Sequence, residues 1–454
     1  MKTCMARGLV LLFLAALPAT AQTEEAPPDT ARFLIETITV EGPKEAAVNI
    51  IRAEALLREG ESYSEEQLRE AVYRVHRLPF VLDASFALRK GSRRGAYGLV
   101  IQVQPAPWFF FDHWIRAYRF DQPLDLEDET FQGDRSSAAI GGVAGARMFV
   151  GRSGVLFGAF DSRDGLQAGF TQYDLFHLGI LASAGISREL CCVTEVLPLA
   201  LDPTFSSWSF ESSRKVSLGM SVPLGGRQSL QISLSDRRGQ AGSHRGVLVD
   251  SPDQVRQAFS STGELAYRRA EAKWVYDTSD DPFLPTRGIS LSAGIETARF
   301  DSSDLLEFTS APPFDLQRVP PFHSDQVVAA LSGIWHLSLS PKQTVSLMGK
   351  VFGGPSRLEN LRLRDRTVRT ASVDSYGVSV GVQHSVTLRR SRSRGNFVDV
   401  RLETGAEIGV EKTSPDFGPS PLKRFSAHTG LVFRNAWGRV RATLTYLDLG
   451  EIVP

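Results

Sequence analysis

The chain has 454 residues, enough for a large core or several domains, and 51 basic side chains balance 51 acidic ones. Zero net charge argues against a nucleic-acid binder, which would show a basic excess or stripe. Three cysteines are too few for a disulfide framework.

Lys2 and Arg7 precede the apolar run Gly8–Leu17, which leads to Pro18 and then Ala19-Thr20-Ala21, the small-x-small pattern of a signal-peptidase site. Residues 1–21 therefore read as a removable secretion signal, since the run is too short for a lasting membrane helix. Cys4 leaves with it, and Cys191 and Cys192 remain. Adjacent cysteines either form a strained vicinal bridge or stay reduced in a loop, and no His or Cys cluster surrounds them to suggest a metal. Residues 22–31, rich in Pro and Glu, read as a flexible leader.

Residues 32–105 carry the signals of a small α/β module. Phe33 to Val40 is a predicted strand stopped by Gly42-Pro43. Ala46, Ile50, Ala53 and Leu57 fall at helical spacing and predict a short helix ended by Gly60. Ser64 and Gln67 have the spacing of a capping box and open a second helix, with Leu68, Val72, Val75 and Leu78 as its buried face. Two strands follow, at 80–90 and 95–104, joined by Gly91-Ser-Arg-Arg-Gly95. One helical layer on a small sheet is a foldable unit.

This order resembles a POTRA domain, the periplasmic module that precedes outer-membrane barrels of the bacterial surface-antigen superfamily. The matching residues are Ile38-Thr-Val40-Glu-Gly42, Gly60-Glu-Ser-Tyr63-Ser, and Leu78-Pro-Phe80-Val81, in a single copy. The resemblance implies a sheet edge offered to extended client segments, because an unpaired strand edge pairs with another chain. The plainer reading of the same module is a spacer.

From Trp108 to residue 454 the composition shifts and alternation recurs. In 375–388, Tyr376, Val378, Val380, Val382, Val386 and Leu388 oppose Ser375, Gly377, Ser379, Gly381, Gln383, Ser385 and Thr387. In 397–408, Val398, Val400, Leu402, Ala406 and Ile408 oppose Asp399, Arg401, Glu403, Gly405 and Glu407. Segments 289–296 and 439–446 behave alike. Runs of ten or more residues exceed the strands of soluble sandwiches and match what a tilted strand needs to cross a bilayer. Trp108, Trp274, Tyr276, Trp335, Trp437 and Tyr446 near segment ends fit interfacial girdles. After the signal no run of eighteen apolar residues exists to form a membrane helix.

Long polar stretches at 189–205, 239–262, 301–324, 355–370 and 412–422 alternate with short ones at 224–227, 278–287, 340–342, 390–395 and 436–438. Long outer loops and short periplasmic turns are the signature of an outer-membrane barrel. About fifteen strands are traceable; an even number is the rule for such barrels, which leads to an expectation of sixteen. The extra strand would lie between 121 and 136, or the C-terminal strand is shortened.

At the turn 276–288 the resemblance becomes specific. Asp277, Asp281, Pro285, Thr286 and Gly288 stand where the superfamily of BamA and TamA, related to the two-partner secretion transporters, has an Asp-Pro-Thr-x-Gly turn. In that family a long outer loop folds into the lumen and sets an arginine against lumen carboxylates. The corresponding segment begins Phe352-Gly-Gly354 and includes Arg357 and Arg362, although the glycine and aromatic that follow the family's arginine are missing. Asp399 and Glu403 share a face and are the expected partners of Arg362 or Arg357; otherwise these charges only line a wet lumen.

No nucleophile, base or phosphate-cradling loop is apparent, so neither enzyme activity nor a cofactor is expected. The resemblance implies an outer-membrane protein that inserts or translocates unfolded polypeptide clients by templating strands at its edges, embedded in the lipid bilayer, with periplasmic accessory proteins able to dock on the POTRA. The rival is a passive pore or structural barrel.

Overall fold

The computed structural model describes residues 32–121, 135–162, 165–189, 193–195, 208–225, 227–247, 257–282, 284–302, 305–309, 316–319, 323–363, 366–393, 396–413 and 422–451. The signal and leader segments, Cys191 and Cys192, and most of the 121–136 stretch lie outside the described residues.

The first body is a four-stranded sheet under two helices. Its elements are β1 (Arg32–Glu41), α1 (Glu45–Ala55), β2 (Ser62–Ser64), α2 (Glu65–His76), β3 (Val81–Lys90) and β4 (Ala96–Pro105). The sheet order is β2-β1-β4-β3, with β1 and β4 parallel. The capping box is present: Ser64 N donates to Gln67 Oε1 at 2.9 Å and Gln67 N to Ser64 Oγ at 3.2 Å, satisfying two of the free amides at the start of α2. The buried face of α1 is Ala47, Ile50, Ile51 and Ala55, rotated from the expected stripe so that Ile51 is buried as fully as Ile50. These residues join Ile35, Leu68, Val75, Leu99 and Ile101 in one core.

The second body is a barrel. It begins with β5 (Phe109–Asp121), β6 (Arg135–Val150), β7 (Gly154–Asp161), β8 (Gly165–Leu175) and β9 (Ile180–Glu189). It continues through β10 (Val193–Glu195), β11 (Trp208–Gly225), β12 (Gln228–Val247), β13 (Gln257–Asp277) and β14 (Gly288–Ser302). A short hairpin, β15 (Leu305–Thr309) and β16 (Leu316–Val319), precedes β17 (His323–Ser340), β18 (Gln343–Leu363) and β19 (Arg366–Ser393). The last three strands are β20 (Asn396–Thr413), β21 (Leu422–Asn435) and β22 (Gly438–Glu451).

Fifteen of these strands close the ring, while β10, β15 and β16 only extend ladders at one end. The expectation of sixteen is therefore corrected, and topology gives the reason. Each hairpin reverses direction, so an odd count leaves the first and last strands running the same way. β22 pairs with β5 in parallel, from Gly438 opposite Phe111 to Asp448 opposite Asp121. Gly438 permits the approach, since a Cβ there would collide with the Phe111 carbonyl. Arg439 Nε reaches Asp112 Oδ1 at 3.2 Å across the seam.

The outer wall is apolar. Val378, Val380, Val382 and Leu388 are each about half exposed on β19, whereas Gly377 and Ser385 between them are buried toward the interior. Ile289 and Ile295 on β14 face outward beside Trp335 and Val327 of β17. Nine tilted residues from Ile289 to Thr297 span about 20 Å, most of the height of a membrane band. Among the described residues no helix is long and apolar enough to cross a membrane. Two stretches expected as long loops are instead largely strand: β12 and β13 pair up to Val247 and Gln257, and β18 and β19 up to Leu363 and Arg366. In water both faces of a hairpin can be polar, so composition there does not show pairing.

The wall's polarity is testable. Val380→Arg should cost about 2–4 kcal/mol of folding free energy in a urea titration in phospholipid vesicles. Ser379→Arg, one residue away and facing inward, should cost far less; equal costs would reverse the assignment of faces.

Candidate functional site at the barrel mouth

The module is docked on one mouth of the barrel. Phe80 packs edge-on against Phe149 at 5.0 Å and Tyr173 at 6.2 Å, so the module's core continues into β6 and β8. Arg147 donates to the Pro79 carbonyl. Leu56, held in a left-handed conformation at the end of α1, lies so close to Gly179 that a Cβ there would stand 2.5 Å from its methyl. On α2, Glu70 accepts from the Arg227 amide at 2.9 Å, and the Arg227 guanidinium lies 5.2 Å over the Tyr73 ring.

Tyr73 leads to the β13–β14 turn. Its hydroxyl donates to Asp277 Oδ2 at 2.7 Å, and burial holds the phenol well above its usual range, keeping it a donor. Within the turn, Asp277 Oδ1 accepts from Ser279 N at 2.9 Å and Asp280 Oδ1 from Thr286 N at 2.8 Å. Asp281 Oδ1 accepts from Leu284 N at 3.0 Å. Gly288 has φ 110°, and a Cβ there would meet Thr278 O at 2.6 Å, so the return to the strand requires glycine. Ser279, Asp281 and Leu284 are buried.

Asp281 and Leu284 reach residues across the mouth. Arg390 on β19 contacts Asp281 Oδ2 at 3.3 Å and, through Nε, Asp399 Oδ2 at 3.4 Å. Arg401 Nε lies 3.4 Å from Asp399 Oδ1, and its NH2 donates to the Leu284 carbonyl at 3.0 Å. The Asp399 and Arg401 side chains are only 1% and 4% exposed. Two carboxylates and two guanidiniums thus lock the turn against β19 and β20. Each buried charge has an opposite one, which such burial requires.

Sequence alternation alone would point Arg390 outward with Val386 and Leu388. A β-bulge between Thr387 and Arg389 shifts the register, places Arg390 opposite Asp399, and turns it inward. No local signal marks that bulge. Asp399 and the turn residue Asp281, predicted separately, are brought together through Arg390. Glu403 instead faces Arg441 at 3.8 Å. Arg357 and Arg362 lie in the β18–β19 ladder opposite Ser372 and Thr367; their side chains are outside the described residues, and so is their expected pairing. Pro285 and Thr286 form the turn's outer half, where the Thr286 hydroxyl also meets Asp280. Among the described residues no group of three potential ligands could hold a metal.

These features define a closed transmembrane β-barrel with an α/β module seated on one mouth. Among solved structures, the chain is similar to BamA from Haemophilus ducreyi lacking POTRA domains 1-3, at 13% identity and TM-score 0.40, over 93% of this chain and 81% of that one. It is also similar to CdiB from Acinetobacter baumannii, at 10% identity and TM-score 0.36, over 91% of this chain and 74% of that one. The ferric citrate transporter FecA in its unliganded form gives 9% identity and TM-score 0.30, over 80% of this chain and 63% of that one. No protein-family model and no curated protein matches. The fold stands on its own strand ladders, independently of these comparisons.

Asp399→Ala strands Arg401 without a counter-charge and should cost about 3–5 kcal/mol, whereas Glu403→Ala, beside a half-exposed arginine, should cost under about 1 kcal/mol by the same urea titration. The docked face also carries a pH dependence. Burial pushes the Glu54 carboxyl up to about 7 against the pull of Arg77 and Arg74. Because the folded value is raised, the docked state binds more protons, so its stability falls as pH rises from about 4.5 to about 7 and then levels off. The protection factors of α1 amides, which remove the intrinsic rise of exchange with pH, should fall over that window in the native chain and not in Glu54→Gln.

Proposed function

We propose that this chain is an outer-membrane protein that inserts or translocates other polypeptides, opening at the seam between β5 and β22. The observation that carries the reading is the parallel closure of an otherwise antiparallel ring. Parallel ladders have slanted hydrogen bonds and are slightly weaker per residue, so the seam parts more easily than an antiparallel ladder of its own length. Once parted, its edges would hold amides and carbonyls that lipid cannot satisfy, and an incoming strand can.

In this reading residues 1–21 are the export signal, 22–31 a leader, and 32–105 a POTRA domain in the periplasm. β3 is an outer edge of the module's sheet, and β2 covers the opposite edge only along Arg32–Leu34; both invite an extended client or an accessory protein. The partners are unfolded polypeptides and the bilayer, with no role for nucleic acid or a cofactor. A second reading, a passive or structural barrel, draws support from the buried Asp281–Arg390–Asp399–Arg401 lock and from a module docked so closely on the mouth.

Depletion separates the two: broad loss of outer-membrane proteins is expected, whereas changed solute permeability with a normal protein profile would favour the passive barrel. A seam disulfide sharpens the test. Ala442→Cys with Ile115→Cys, opposite in register, should abolish complementation of the depleted strain when oxidised and regain it on reduction. Full activity of the oxidised form would exclude opening at the seam.

A further inference from the structure

The outer wall has a cationic site at the end away from the module. Arg188 of β9 lies directly opposite Arg214 of β11, and Arg214 directly opposite Arg238 of β12. All three are exposed. Alternation puts them on the outward face, in step with Ile186, Val216 and Leu234, which are 63%, 52% and 49% exposed just below. Like charges directly opposed on neighbouring strands repel, and a counter-charge relieves that cost. Asp236 does so for Arg238, at 2.8 Å. Among the described residues no carboxylate reaches Arg188 or Arg214.

Two hollows follow one another along β11, β12 and β13, the upper at this row. The upper, of about 600 Å³, is lined by Arg188, Arg214, Arg238, Gln240 and Glu264. The lower, of about 500 Å³, runs down the wall among Val216, Leu218, Leu234, Ala270, Thr297 and Val327, and the arginines at its rim, Arg268 and Arg299, are already paired with Asp236, Asp301 and Asp325. The row stands ten residues along β11 from Leu224 near the module end, which for a tilted strand is about 25 Å. That distance puts the arginines at the level of the headgroups in the leaflet opposite the module, and the apolar groove at the level of the acyl chains.

We propose that this surface binds a phosphate-bearing lipid of that leaflet, its anionic headgroup between Arg188 and Arg214 and an acyl chain along the groove. Guanidiniums suit phosphate because their paired donors match its oxygens. A zwitterionic headgroup, which carries its own cation, would leave the row's repulsion in place.

Native mass spectrometry of the full chain in dodecyl maltoside provides the test, using phosphatidylglycerol and phosphatidylcholine of identical acyl chains as probes. The native protein should retain phosphatidylglycerol preferentially. Arg188→Gln with Arg214→Gln should reduce that preference about thirtyfold, each cation near an anionic lipid surface contributing a factor of about five. The double lysine variant should keep most of it, and circular dichroism should show all forms equally folded. The proposal is overturned if the two lipids are retained alike, if the glutamine variant keeps the native preference, or if millimolar inorganic phosphate displaces the lipid completely, since the ligand would then be a small anion.

Discussion

Inside a bilayer no water is available to the backbone, so every amide and carbonyl must find its partner within the protein. For a chain of strands this means a closed ring, and the remaining features of the barrel follow from how the ring is closed. With fifteen strands the first and last run in the same direction, and the closing pair is parallel. The seam has its own supports: Gly438 allows the strands to approach, and Arg439 pairs with Asp112 across it. A ring closed in this way has one pairing unlike all its others.

The mouth shows a second consequence. The β13–β14 turn joins three parts of the molecule: Asp277 holds Tyr73 of the module, Asp281 holds Arg390, and the Leu284 carbonyl holds Arg401. Because Arg390 and Arg401 share Asp399, movement of the turn would leave charges buried without partners. The module and the inner wall are thus tied to the same segment, 277–284, and displacing one strains the contacts of the other.

Much of this was legible in the sequence. Alternation at 375–388 identified the outward face of β19 from Tyr376 to Leu388, and Ser64 with Gln67 announced the start of α2, because both patterns are local and governed by backbone geometry. The turn at 277–288 was readable for the same reason. What the sequence did not disclose depends on non-local pairing. The bulge at Thr387 that reverses Arg390, the parity of the ring, and the rotation of α1 toward Ile51 are each decided by the neighbouring strand or sheet. Asp399 reads as a charge in need of a partner, but its partner Arg390 opens the stretch 390–395 that the sequence presents as a short turn.

The most direct measurement is the pattern of backbone proton contacts between β5 and β22 in the detergent-solubilised chain by nuclear magnetic resonance. The account predicts the staggered contacts of a parallel ladder, with Ala442 abreast of Ile115 and Leu444 abreast of Ala117. Close Hα–Hα contacts of the antiparallel kind between β5 and β22, or pairing of the β5 edge that faces away from β6 with a segment other than β22, would contradict it.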